Sequence, residues 1–148
     1  MRWWVLGTIV LAFLYGSSAW AAGVDVSVGD ETVAAGQAVS VEISNGARGA
    51  IHLPACGAVV FEIFEEGVGY RELPPPSCRA EVNATPLRSG KSTTLERTPE
   101  VGDRAILRPI VTYGVGCRDE LPLDRASCKS IQTVRGRFFT VSAPAPSR

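Results

Sequence analysis

"AVSVEIS", residues 38–44, is the stretch that decides the fold. Val39, Val41 and Ile43 share one parity; Ser40, Glu42 and Ser44 share the other. Successive residues of a strand point to opposite faces, so this alternation predicts a β-strand with one side buried and one side wet. A helix would need apolar residues three and four apart, and no window of 11 residues or more carries that stripe.

Working outward, the same kind of segment recurs. "VVFEIFE" (59–65) is rich in aromatic and β-branched residues. "EGVG" breaks it, and Tyr70 to Leu73 resumes. "KSTTLERT" (91–98), "AILRPIVTYG" (105–114) and "RGRFFTVS" (135–142) follow, and "VDVSV" (24–28) precedes them all. About seven short strands separated by turn signals predict an all-β, antiparallel β-sandwich, with a small Greek-key barrel as the alternative. Pro109 lacks an N–H for a sheet ladder, so it is expected on an edge strand or at a bulge.

The chain begins with Met1-Arg2, an uncharged run from Trp3 to Tyr15, and Ala19-Trp20-Ala21. A basic start, a short apolar core and small residues at the cut predict a secretory signal peptide over 1–21. The run is shorter than the roughly 20 residues needed to span a bilayer. A single domain over 22–142 and a disordered Pro/Ala tail over 143–148 complete the expected organisation. Export to the periplasm or beyond is the localisation that this leader predicts.

The whole chain has 15 bases and 15 acids. Removing Arg2 with the leader leaves a net charge of −1, which gives no sign of nucleic-acid binding. The signs are nevertheless segregated. Residues 22–66 hold seven acids against Arg48, and residues 104–137 hold seven bases against Asp119, Glu120 and Asp124. Neighbouring strands of complementary charge are the expected result, ahead of a basic patch for an acidic ligand.

Four cysteines, Cys56, Cys78, Cys117 and Cys128, follow the leader. An even count in an exported chain predicts two disulfides, with three possible connectivities. A hairpin turning at Gly67 brings Cys56 opposite Cys78, and Cys117 and Cys128 bracket "RDELPLDRAS". Both local pairs are therefore expected, each closing a loop worth roughly 3 kcal/mol.

Little else reads as chemistry. His52 is the one histidine, four residues before Cys56 in "HLPACG". A cysteine held in a disulfide cannot ligate a metal, and zinc needs three or four ligands, so no metal site and no cofactor are expected. His52 is read as structural or merely exposed. No "GxSxG" elbow and no phosphate-binding glycine loop occurs. Glu65-Glu66 falls at a turn; "PPP" (74–76) reads as a loop stiffener before a recognition segment. "NAT" at Asn83 is a glycosylation sequon.

"LRSGKSTTLERTPEVGDRAILRPIVTYG" followed by "RGRFFTVS" resembles the second half of small exported bacterial immunoglobulin-like domains. The tyrosine that such domains carry after the glycine falls at Arg104 here. The resemblance implies a sandwich that binds or spaces, with no catalytic residues. The expected function is thus an exported, non-catalytic binding or structural module that meets a protein or glycan partner through its loops. The alternative is a secreted protease inhibitor using loop 117–128. The residues expected to bind are Arg118, Leu121, Pro122, Leu123 and Arg125, with both leucines exposed at the loop tip unless they fold back.

Overall fold

The computed structural model describes residues 23–78, 83–119 and 121–143; the expected signal peptide, and the expected tail beyond Ala143, lie outside them. Among the described residues there are eleven strands: β1 (Val24–Val28), β2 (Thr32–Ala34), β3 (Val39–Asn45), β4 (Ile51–Pro54), β5 (Val59–Glu65), β6 (Gly69–Glu72), β7 (Ala84–Leu87), β8 (Ser92–Arg97), β9 (Ala105–Val115), β10 (Ser130–Arg135) and β11 (Phe139–Ser142). The described residues contain no helix, so none that could cross a membrane. The count exceeds the expected seven because β2, β4, β7 and β10 lack the alternation that marks the others. Ile51, His52 and Leu53 are consecutive and all buried, β7 contains Pro86, and β10 is almost wholly exposed.

Two sheets pack face to face. The smaller has the order β1-β3-β8, antiparallel throughout. The larger is built on β9, whose length lets two strands share each flank. On one side β5 pairs with residues 106–111 and β4 with 114–115. On the other, β11 pairs near the start and β10 near the end. β6 and β7 extend the first side, and β2 joins β11 in parallel. Val39, Val41 and Ile43 of the opening stretch are all buried, while Ser40 and Glu42 are exposed. They meet Ile51, Phe61, Leu107, Val111, Phe139 and Val141 from the larger sheet in one core. Phe61 and Phe139 cross edge to face at 5.6 Å within it. Each such side chain contributes roughly 1.5–3 kcal/mol on leaving water.

Pro109 sits in the central strand, which corrects the idea of an edge. Between the pairs Leu107–Phe139 and Ile110–Arg135, β9 has two residues, Arg108 and Pro109, and the facing chain has three, Gly136, Arg137 and Phe138. One extra residue is a bulge, the other half of the expectation. A strand residue directs its N–H and C=O to the same neighbour. The Pro109 carbonyl accepts from the Gly136 N–H at 2.8 Å, so its missing donor falls at the break. Gly136 is required there, since a Cβ would come 2.6 Å from the Pro109 ring.

Asn45 closes the end of β3. It is fully buried, and its side-chain amide donates to the carbonyls of Leu87 at 2.8 Å and Gly49 at 2.9 Å. Its Oδ1 accepts from the Ala47 N–H at 3.0 Å. A buried amide satisfied in this way ties β3, the β3–β4 turn and β7 together. The disulfides are Cys56–Cys78 and Cys117–Cys128, the two local pairs expected. The first follows from the hairpin register: Glu62 faces Glu72 and Phe64 faces Tyr70 about a turn with Gly67 at φ 80°.

Candidate functional site

The loop between Cys117 and Cys128 holds the five residues expected to bind. It lies against the sheet. The Arg118 N–H donates to the Ser127 carbonyl at 3.0 Å, and the Arg118 guanidinium donates to the Ala126 carbonyl at 3.1 Å. Asp124 Oδ1 accepts from the N–H groups of Ala126 at 2.9 Å and Ser127 at 2.7 Å. Hydrogen bonds from Ser127, with lesser help from Ala126 and Arg118, hold the Asp124 carboxyl below its ordinary range. The Leu121 carbonyl accepts from the Ala84 N–H of β7 at 3.0 Å.

Gly114 explains how the loop can lie down. It points outward from β9, opposite His52 of β4 and Ile131 of β10. A Cβ there would lie 2.5 Å from Leu123 Cδ1, 2.7 Å from Cys128 Sγ and closer still to Cys117 Sγ. The disulfide and Leu123 occupy the space of the missing side chain. Leu123 is therefore half-buried and folded back, while Leu121, Pro122 and Arg125 are exposed. His52 lies under the same loop. It is buried, and its Nε2 shares a 2.7 Å hydrogen bond with Asp119 Oδ1. Its Nδ1 is buried with no hydrogen-bond partner among the described residues. Cys56 is in a disulfide and is no ligand to join it.

The far end of the same sheet face was not anticipated from the sequence. Phe64, Tyr70, Ile106 and Phe138 all lie there, 41%, 51%, 44% and 45% exposed. Register explains the grouping: Phe64 faces both Tyr70 and Ile106, and Phe138 stands in the bulge beside Arg108. Phe64 and Tyr70 are 5.3 Å apart at 54°, and Tyr70 and Phe138 are stacked at 5.8 Å. The Arg108 guanidinium lies 4.2 Å over the Tyr70 ring and 5.1 Å from that of Phe138. Cation–π contact of this kind favours a fixed side chain.

Beneath the rings runs a row of charge. Glu62 is buried and accepts from Arg108 Nε at 2.5 Å and from Arg135 Nη2 at 3.2 Å. Burial pushes its carboxyl up, but the bonds from Arg135 and Arg108 outweigh that and hold it below the ordinary glutamate range. The acidic and basic stretches of the sequence thus meet across β5, β9 and β10, as expected of neighbouring strands. The outer face of the smaller sheet offers a contrast: Asp25, Ser40, Glu42, Ser92, Thr94 and Glu96 are its exposed residues, an ordinary wet surface.

A cleft of about 320 Å3 opens where β5 and β8 diverge, walled by Leu73, Pro74 to Pro76, Pro99 and Arg97. The three prolines lie in the irregular segment that follows β6. Among the described residues no group of three or more His, Cys, Asp or Glu side chains is placed to hold a metal ion. No known family model, curated protein or solved structure matches the chain.

Proposed function

We propose that the chain is an exported, non-catalytic binding module of immunoglobulin-like type, and that its contact surface is the open end of the larger sheet's outer face. The leader and the two disulfides support export, since such pairs persist in oxidising compartments. One observation carries the binding surface. A sheet face open to water carries three aromatic rings and an isoleucine about half exposed, packed around an arginine already fixed by a buried glutamate. Aromatic residues and Arg are the residues enriched at interface cores and hot spots. The smaller sheet shows that this chain covers an ordinary solvent face with Ser, Thr and acids instead.

The surface favours a protein over a glycan. Phe64 is tilted 54° to Tyr70, so the rings do not form a flat platform on which sugars stack. Loop 117–128 is read as a structural hairpin, because Arg118 and Leu123 are engaged within it or on Gly114. An inhibitor would have to present Arg125 or Leu121 instead, which stay exposed.

The test places a photoreactive amino acid at Tyr70 in cells that export the protein, with Ser40 on the smaller sheet as control. A discrete crosslinked species at position 70 and none at 40 is expected. The same products at both positions, or none at 70, would remove the proposal.

A further inference from the structure

We infer that the outer edge of β8 takes up an extended strand from a partner protein, and that Arg97 selects a strand carrying an acid. This site lies on the other sheet from the aromatic face and is independent of it.

Backbone direction fixes which groups of β8 are free. The Asn45 N–H donates to the Lys91 carbonyl at 2.9 Å, and the register continues through Ile43–Thr93, Val41–Leu95 and Val39–Arg97. The odd-numbered residues of the two strands therefore bond each other. The N–H and C=O groups of Ser92, Thr94 and Glu96 point away from β3, and among the described residues no strand pairs with them. The opposite edge of the small sheet is closed. Gly23 and Gly29 bond β3, so Val26 directs its carbonyl outward, to within 3.0 Å of where a Gly136 Cβ would stand in the β10–β11 connection.

The core is left uncovered at β8. Val39, Val41 and Ile43 are at most 1% exposed, yet Arg97, Leu95 and Thr93 beside them on the same inner face are all partly exposed. Two cavities follow one another along this edge. One, of about 270 Å3, has Thr93 and Leu95 in its wall with Leu53 of β4 and Leu87 of β7. The other is the cleft of about 320 Å3 that begins at Arg97. A strand laid antiparallel on β8 sends alternate side chains inward. Those opposite Thr93 and Leu95 cover the first cavity, and the one opposite Arg97 enters the cleft.

Arg97 decides what that last side chain is. Its Nη1 donates to the Glu96 carbonyl at 3.1 Å, an acceptor that the incoming strand must take over. Among the described residues its buried Nε has no hydrogen-bond partner and its guanidinium is in no salt bridge, although Glu100 lines the same cleft. An inward-pointing charge blunts a sheet edge against indiscriminate pairing. A carboxylate opposite Arg97 replaces the bond given up to the strand and neutralises the cation, so the guard becomes a selector. Read from its N-terminus, the partner strand is acid-x-apolar-x-apolar.

The probe is a capped peptide, Lys-Glu-Thr-Val-Thr-Val-Thr-Lys, titrated into the disulfide-bonded protein by NMR. Saturation with a Kd below about 1 mM is expected, with amide exchange at Thr94 and Glu96 slowed. The same peptide with lysine in place of its glutamate should bind at least about tenfold more weakly, and Arg97→Glu should reverse that preference. Thr94→Pro removes an N–H that bonds nothing in the fold, so it should melt close to the parent and bind neither peptide. Tyr70→Ala should bind as the parent does. Should a β8 variant fail to fold, the two peptides and the exchange rates on the parent decide the matter. No saturation at 1 mM overturns the inference. So do equal affinities for the two peptides, or shifts centred on Tyr70 and Phe138. A dimer that excludes the peptide and is lost in Thr94→Pro gives the edge to a second copy, and overturns it too.

Discussion

Gly114→Ala isolates the device that holds loop 117–128 on the sheet. Gly114 has no left-handed backbone requirement, and alanine in a strand would ordinarily stabilise by about 0.4–1 kcal/mol through the unfolded chain. Here the new methyl would lie 2.7 Å from Cys128 Sγ and 2.5 Å from Leu123 Cδ1. The leucine end can swing away; the disulfide cannot, because both of its ends are fixed in the β9–β10 connection. Overpacking of this sort costs roughly 1–3 kcal/mol. If the loop instead lifts off, Leu123 also loses its packing, so a net loss of about 2–3 kcal/mol is expected. Urea melts in the oxidised state measure it. A double-mutant cycle then assigns the cause: in a background with Cys117→Ala and Cys128→Ala, the same substitution should cost less than about 1 kcal/mol. A neutral or stabilising Gly114→Ala, or an equal cost in both backgrounds, would refute the packing argument.

Asn45→Ala leaves the Leu87 and Gly49 carbonyls and the Ala47 N–H without their side-chain partner, and should cost about 3 kcal/mol in a urea melt; a loss below 1 kcal/mol would mean that water replaces the amide. Glu62 is held below the ordinary glutamate range in the folded state, so its ionised form stabilises the fold. The parent's advantage over Glu62→Gln should then be complete above about pH 4.3, the unfolded value, and fade as pH falls below it. Denaturation midpoints of both proteins across that range check the sign, and a difference independent of pH would contradict it. Leu121→Ser should cost under 1 kcal/mol and Leu123→Ser about 1.5–2 kcal/mol, since only the second is folded against Gly114; equal costs would return both leucines to the same environment.

The sandwich was legible wherever one face of a strand is apolar and the other polar. Val39 to Ser44 carries that contrast in six residues. The Cys56–Cys78 pairing was legible too, because a hairpin register is linear arithmetic about Gly67. What stayed hidden lacked local contrast or depended on distant pairing. "IHLP" shows no period of two, and His52 is buried and bonded to Asp119, 67 positions away. β10 follows a disulfide and is exposed on most positions, so its sequence shows no period. The exposed aromatic surface was the hardest to read. Phe64 sits in a run of strand formers where an outward ring looks like another core residue, and its neighbours Tyr70, Ile106 and Phe138 come from three other segments. Only the register of β5 with β6 and β9, and the one-residue bulge at Pro109, bring them together.

On this reading the aromatic face is occupied in the exported protein. Oxidative footprinting of Tyr70 and Phe138 in intact exporting cells, set against the purified protein diluted well below micromolar, measures that occupancy directly. Strong protection of both rings in cells and free labelling of both on dilution are expected, with Tyr113, buried in the core, slow in either state. Equal labelling of Tyr70 and Phe138 in the two states would contradict it.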